Sequence, residues 1–415
     1  MGNGVKARYA VIGAGYAGMA AAVTLAERGV PVTVFESTAM PGGRARRVRI
    51  SDDGQGHELD NGQHILIGAY TALFGMMRTV GVPQKSVLRM PLELRYARGF
   101  YFRRLWLPEP FGLAGGLLTA RGLSLSERFR AARFMARLQR ARFRIARDVS
   151  VASLLEQHAQ HGRAAHYLWR PLCVSALNTP PQLASAQVFL TTLRDTLGGD
   201  AEASDLILPR VDLSRLFPEP AAEYVRSRGG EIRLHSPVKD LGALRQSFDR
   251  VIVAVGPHQL KTLLPEAPEY TYQPIYTCYL QYRPDVRLPL PMIGLAEGLV
   301  QWVFDRGALL GEKGRLACVI SAQGDHQQMS LDELAQRCER ELAAAFPNLG
   351  KPDWTRVIAE KRATVTCSPG PKPPLPSIPG VQFAGDYTDG EYPPTLEAAV
   401  RSGIRAAEDV IREPT

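Results

Sequence analysis

Apolar and polar positions change their period several times along the chain, and the first changes are the most informative. The run Arg8–Ile12 is short, apolar and unbroken, the pattern of a buried strand, and it ends at Gly13. An alanine-rich stretch from Ala17 to about Ala26 has helical character, and Val32–Glu36 returns to a strand pattern. Strand, glycine turn, helix and strand make the first half of a βαβ unit. From about Pro91 to Thr196 the pattern is mostly helical, and Asp212–Arg228 predicts another helix, stopped by Gly229-Gly230. Strands are predicted at Glu231–Val238 and Arg250–Val255, and several short ones between Tyr270 and Phe304, where Pro interrupts Thr, Tyr, Val and Ile. A helix follows at Leu331–Phe346. The tail offers a strand at Val381–Ala384 and a closing helix from about Thr395 to Ile411.

Strands of one type at both ends and in the middle predict a parallel-sheet domain assembled from separate stretches. The expected fold is α/β, with a discontinuous Rossmann-like dinucleotide domain and an inserted α+β substrate domain. The dinucleotide domain takes residues 1–88, 206–264 and 357–415. The insertion takes 89–205, its helical part, and 265–356, its β-rich part.

Composition narrows the class. A chain of 415 residues with 45% hydrophobic content can bury two or three cores. Its first apolar run leads straight into the glycine turn, so the N-terminus reads as structure and not as an address. No stretch has the eighteen or so uncharged apolar residues of a spanning helix. The five cysteines are odd in number and widely spaced, with no C-x-x-C pair, so neither a metal site nor a disulfide framework is expected. They read as reduced thiols of a cytosolic protein. Cys367 lies upstream of the C-terminal motif described next. A buried thiol is the preferred reading there over a covalent link to a cofactor, because nothing adjacent would activate it. The net charge of +9 calls for an acidic partner.

Gly13, Gly15 and Gly18 spell G-x-G-x-x-G between a strand and a helix. The first glycine permits the turn, the second admits a pyrophosphate, and the third lets helix and strand pack closely. Glu36 closes the next strand where a ribose-binding carboxylate belongs, which argues against a 2′-phosphate and leaves NAD and FAD. Two further segments decide for FAD. Met40-Pro41-Gly42-Gly43-Arg44 brings a glycine pair and an arginine toward a second part of the dinucleotide. Phe383-Ala384-Gly385-Asp386 ends a strand with an acid suited to a ribitol hydroxyl, and Pro393-Pro394-Thr395 starts a helix whose dipole suits negative charge on a reduced flavin.

These segments resemble the flavin-dependent amine oxidase and phytoene desaturase superfamily, which shares the G-G-R stretch and the C-terminal G-D turn. Within it the chain is most similar to the hydroxysqualene dehydroxylases of bacterial hopanoid synthesis, also described as squalene-associated FAD-dependent desaturases. Leu59-Asp60-Asn61-Gly62-Gln63-His64, Pro171-Leu172-Cys173, Ala176-Leu177-Asn178-Thr179-Pro180-Pro181, Ser185–Phe189 and Leu208–Asp212 carry that likeness. The tail departs from it at Tyr387–Tyr392 and at Glu397-Ala398-Ala399. The resemblance implies FAD as cofactor. The expected contacts are Gly13, Ala14, Gly15, Tyr16, Ala17, Gly18, Glu36, Gly42, Gly43, Arg44, Asn61, Gly62, Gln63, Val238, Gly385, Asp386, Pro394, Thr395 and Leu396.

It also implies conversion of hydroxysqualene to squalene by hydride from reduced FAD, with a separate electron donor for the flavin. Such a site needs an acid to protonate the leaving hydroxyl and a dry apolar tunnel. His64 is the first candidate acid, because imidazole titrates near neutrality; a purely structural histidine is the competing reading. Asp60 either orients His64 or caps the Asn-Gly turn, the second being preferred. Asp389, Tyr387 and Tyr392 are further donors. Phe100, Tyr101, Trp106, Phe111, Leu113, Leu117 and Leu118 are candidate tunnel material, and equally ordinary core.

Arg130, Arg133, Arg137, Arg140, Arg144 and Arg147 are spaced alternately three and four apart, which predicts one basic face of a helix at about 126–148. Phe134, Leu138, Ala141 and Ile145 fall on another face. An anionic membrane suits this element and a bilayer-resident substrate, placing the protein in the cytoplasm on the inner face of the cell membrane. A solvated helix face is the alternative. Nucleic acid is disfavoured, since the stripe lacks a reader motif and its aromatics lie off the basic face. A carotenoid-type desaturase and an amine oxidase compete on the same scaffold, and a prenyl-lipid carrier competes outside enzymes.

Overall fold

A computed structural model of the chain describes residues 7–52, 55–107, 111–197 and 201–412. Its first sheet is parallel, in the order Glu231–Arg233, Val32–Phe35, Tyr9–Ile12, Arg250–Val253, Val381–Phe383. Alternation along these strands feeds two cores. Val11 and Ile252 turn to the face covered by the helices Tyr16–Glu27, Pro218–Ser227 and Leu396–Arg412, whereas Ala10, Ile12 and Val251 turn to Leu241, Leu260 and Tyr387 on the other. A sheet covered on both faces must be apolar on both, hence the unbroken runs in the sequence.

The second sheet is antiparallel, in the order Met292–Gly294, Trp302–Asp305, Arg315–Ser321, Tyr272–Gln281, Trp354–Val365. Tyr276, Cys278 and Leu280 face the helix Leu331–Ala345, and Tyr279 faces the helical part of the insertion. The strand Trp354–Val365 runs across the expected boundary at 356 and reaches from the substrate domain into the cofactor domain.

The structure differs from the sequence reading in several places. The region from Pro91 opens with a hairpin, Glu93–Arg95 with Tyr101–Arg103, before its helices begin. The helix expected at Asp212–Arg228 is two, Leu213–Leu216 and Pro218–Ser227, because Pro218 has no amide hydrogen to continue the first. The strand expected at Glu231–Val238 stops at Arg233. Two small sheets went unanticipated: the hairpin Arg47–Asp52 with Gln55–Asp60, and Leu206–Pro209 between Leu66–Ile67 and Val87–Met90.

The basic helix is also shorter than its arginine spacing implied. It spans Leu125–Arg140, started by a capping box of Ser124 and Glu127. Arg142 and Phe143 then take left-handed conformations, with φ of 50° and 54°. The turn swings Phe143 into the core and takes Arg144 and Arg147 off the stripe. Arg144 instead lies 3.6 Å from Glu391. Among the described residues, no helix is long and apolar enough to cross a membrane.

Candidate active site

The C-terminal ends of the first-sheet strands open on a cavity of about 670 Å³ that continues toward the second sheet. Its floor is bare backbone. Gly13 has φ +100°, and Gly42 donates from its amide to the Ala14 carbonyl at 2.8 Å, laying the second glycine pair beside the first. A Cβ on Gly43 would lie 3.2 Å from the Gly15 Cα. The helix Tyr16–Glu27 starts here, with Gly15 offering no side-chain cap, so its first amides face the cavity. Positive helix end, free amides and missing side chains form a cradle for a pyrophosphate.

Glu36 stands at the rim, buried, accepting from the Ala14 amide at 2.9 Å and from the Thr38 amide at 2.8 Å. Those bonds fix the carboxylate while leaving acceptor capacity for a ribose hydroxyl. Arg44 donates to Asp386 at 2.7 Å and to the Ala363 carbonyl at 2.7 Å. The G-G-R segment and the G-D turn, expected to contact the cofactor separately, are therefore joined to each other. Gly385, Asp386, Pro394, Thr395 and Leu396 line the wall, where the helix Leu396–Arg412 begins. Every expected cofactor residue lines the cavity except Ala14, which anchors Glu36, and Gly18, which packs beneath it. This donor and acceptor set fits FAD: amides for phosphate, carboxylates for sugar and ribitol hydroxyls, a helix N-terminus for the ring.

Beyond Arg44 the cavity meets the turn Asn61–His64. Asn61 donates to the Arg44 carbonyl at 2.9 Å and to Glu360 at 3.1 Å. Gln63 and Asp60 both accept from the Arg306 guanidinium, at 3.0 and 3.1 Å, and Tyr279 donates to the Asp60 carbonyl at 2.8 Å. Arg306 is 1% exposed and is held from its other side by Glu312, at 2.7 and 2.9 Å. Asp60 thus neither orients His64 nor caps the turn: its carboxylate accepts from Arg306 and from the Leu213 amide at 2.9 Å. Burial pushes its pKa up even against the pull of Arg306. His64 lies 2.9 Å from the Gly62 carbonyl through Nδ1, and burial lowers its pKa. A carbonyl only accepts, so Nδ1 carries the hydrogen and Nε2 is where a proton is gained or lost.

The other candidate donors are committed elsewhere. Tyr387 lines the cavity, but its hydroxyl donates to the Val255 carbonyl at 3.1 Å and burial raises its pKa. Asp389 lies outside the cavity lining, its carboxylate accepting from the Glu391 amide at 3.1 Å and its backbone carbonyl from Lys372. Tyr392 packs under Arg401, 4.5 Å from guanidinium to ring. Cys367 is buried away from the lining, its thiol pushed up to about 12 by burial.

The lining supplied by the second sheet includes apolar Ile275, Trp302, Phe304 and Val319, and the helical part adds Ala176 with polar Ser175 and Asn178. Trp302 donates to the Ser175 hydroxyl at 3.0 Å, which fixes the indole between the second sheet and the helical part. None of the aromatic and aliphatic residues proposed as tunnel material at 100–118 lines this cavity among the described residues; Phe100, Leu113 and Leu117 are core. Sequence reasoning missed Arg306, Trp302 and Glu360. Arg306 had one readable signal, a lone charged pair Asp305-Arg306 breaking an apolar strand.

The comparisons with known proteins agree with this geometry. The model of the family described as flavin containing amine oxidoreductase matches residues 16–411. A hydroxysqualene dehydroxylase of Sinorhizobium fredii is 28% identical over 425 residues, covering 97% of this chain and 98% of that protein. A zeta-carotene desaturase of a Synechocystis strain is 23% identical over 482 residues, covering 97% of each. The solved structure of cyclohexylamine oxidase from Brevibacterium oxydans superposes with a TM-score of 0.67 at 16% identity over 98% of each chain. FAD is the cofactor, and the chain is an FAD-dependent oxidoreductase that belongs to the flavin containing amine oxidoreductase family.

Proposed function

We propose that the protein removes the hydroxyl group of hydroxysqualene reductively, giving squalene for hopanoid synthesis. The observation that carries this reading is that the cavity joins a polar cofactor cradle to a lining from the second sheet that includes apolar Ile275, Trp302, Phe304 and Val319. The relatives named hydroxysqualene dehydroxylase support it over nearly the full chain. Reduced FAD supplies a hydride when bound. His64 Nε2 would give a proton to the oxygen so that it leaves as water when the carbon–oxygen bond breaks, and the carbon it leaves would be open to the hydride that bound, reduced FAD would supply. The apolar wall holds the hydrocarbon and keeps nucleophilic water from the allylic carbon. A separate electron donor restores the flavin. A hydrocarbon of this size resides in the bilayer, so the protein works at the inner face of the cell membrane, drawn there by its arginines.

The test is an anaerobic single turnover of the reduced holoenzyme, following flavin reoxidation by absorbance and product by mass. Stoichiometric squalene is expected. Flavin that stays reduced with this substrate removes the assignment and brings forward the desaturase reading, which the Synechocystis relative favours.

His64 has its own signature. Its pKa is lowered by burial, so the acid form is depleted at neutral pH and grows as the pH falls through the lowered value. The single-turnover rate should therefore fall about tenfold per pH unit above that pKa, which lies below the ordinary value of about 6.5. His64→Ala should lower the rate by about 10²–10⁴ with FAD retained. A desaturation, which needs no acid for a leaving hydroxyl, would lose far less.

A further inference from the structure

The outer edge of the helical part carries an apolar patch that its own fold leaves uncovered. Six of the nine exposed large apolar side chains among the described residues lie between 106 and 129: Trp106, Leu107, Phe111, Leu118, Leu125 and Phe129. Trp106 is 82% exposed and Phe129 64%. They are neighbours in space. Leu105 donates from its amide to the Gly112 carbonyl at 3.1 Å, setting the Leu105–Leu107 segment against the helix Phe111–Thr119. Arg128 donates to the Leu118 carbonyl at 3.2 Å, tying that helix to the next. Phe111 and Leu118 are two turns apart on one helix face, and Leu125 and Phe129 one turn apart on the other. The opposite faces, with Leu113, Leu117, Ala131 and Phe134, are core.

The charge around the patch has one sign. Residues 95–147 hold thirteen arginines against two acidic residues, more than the whole net charge of the chain, which is +9. Of the two acids, Glu127 turns inward, accepting from the Ser124 and Arg163 amides at 2.9 and 2.8 Å. Arg103, Arg121 and Arg133 stand exposed. A second copy of the chain laid on the patch would bring arginines against arginines. An anionic bilayer offers hydrocarbon to the centre and phosphate to the rim.

We propose that this edge, and not the arginine stripe of the Leu125–Arg140 helix, is what enters an anionic membrane, Trp106, Phe111 and Phe129 passing below the headgroups while the surrounding arginines hold lipid phosphates. The proposal rests on the reading that the protein works at a membrane surface and refines it. The inner faces of the same helices share one apolar core with Trp302 and Phe304, so the docked edge backs the substrate end of the cavity.

The test uses the FAD-loaded chain, without substrate, and vesicles of phosphatidylcholine with or without phosphatidylglycerol. Binding to the phosphatidylglycerol vesicles should blue-shift tryptophan emission and weaken in high salt. The triple variant Trp106→Ser, Phe111→Ser, Phe129→Ser should bind those vesicles at least about tenfold less tightly, whereas Leu331→Ser, in an exposed apolar residue elsewhere, should bind like the parent. Retained FAD absorbance shows that the variant is folded. Equal binding by triple variant and parent overturns the patch while leaving a membrane role by charge alone. A parent that ignores vesicles but elutes as a dimer that the triple variant breaks overturns both in favour of self-association. The anaerobic turnover is read separately, so failure of the dehydroxylase reading leaves this result standing.

Discussion

Arg306→Leu is expected to lose about 3–5 kcal/mol of folding stability. The guanidinium is 1% exposed and pairs with two carboxylates, Asp60 and Glu312, the second shared with Arg315, while also bonding Gln63. Its removal leaves Asp60 buried without a cation. The pKa of that group, already raised by burial, would rise further once the cation that opposes the rise is gone. Thermal unfolding of the holoprotein reads the loss. The damage should also reach chemistry, because Asp60 and Gln63 flank the turn that carries His64. Arg306→Lys keeps a charge but not the fork that holds three partners at once, so it should fall between parent and leucine variant. Thermal stability unchanged in Arg306→Leu would mean that the ion cluster contributes nothing beyond its own desolvation.

Gly18→Ala is expected to yield protein that purifies without flavin colour. A Cβ there would sit 1.9 Å from the Gly13 carbonyl oxygen, an overlap that only backbone movement relieves. The segment that must move is the cradle itself, since Gly13 is held at φ +100° against Ala254 and leads directly into Gly15. FAD affinity should fall by more than about a hundredfold, which corresponds to roughly 2.7 kcal/mol. Gly75→Ala is the control, a helical glycine whose Cβ would meet only the far end of Arg78 at 3.9 Å. It should retain FAD and lose no stability. Full flavin occupancy in Gly18→Ala would break the link between close helix–strand packing and the cofactor.

The parallel sheet was legible chiefly through its central strands Tyr9–Ile12 and Arg250–Val253, which are buried on both faces and so read as apolar runs, the first closed by Gly13; the edge strand Glu231–Arg233 is exposed and carries no such run. The cradle was legible because glycine at fixed spacing is needed wherever backbone must approach a ligand. What the sequence concealed are relations between distant positions. Nothing at Arg44 says that its partner is Asp386, 342 residues away, or that Asp60 answers to Arg306 and not to His64. The arginine stripe shows a different limit. Its periodicity continues past Arg140, but the backbone turns at Arg142 and Phe143 and buries the phenylalanine, a tertiary contact that the period of the arginines does not carry. Short strands such as Leu66–Ile67 carry too few residues for any period to register.

The bond between Arg44 and Asp386 also orders events in time. The cradle is made hundreds of residues before the wall opposite it, because the edge strand Val381–Phe383 and the helix Leu396–Arg412, packed on Tyr16–Glu27, follow the long insertion. Until that later stretch is made, the nascent protein holds half a nucleotide site and an uncovered helix face, exposed for as long as the intervening insertion takes to be made. FAD can then act as a fastener, binding across a seam that joins an earlier and a later part of the polypeptide and rewarding only chains in which both are in place.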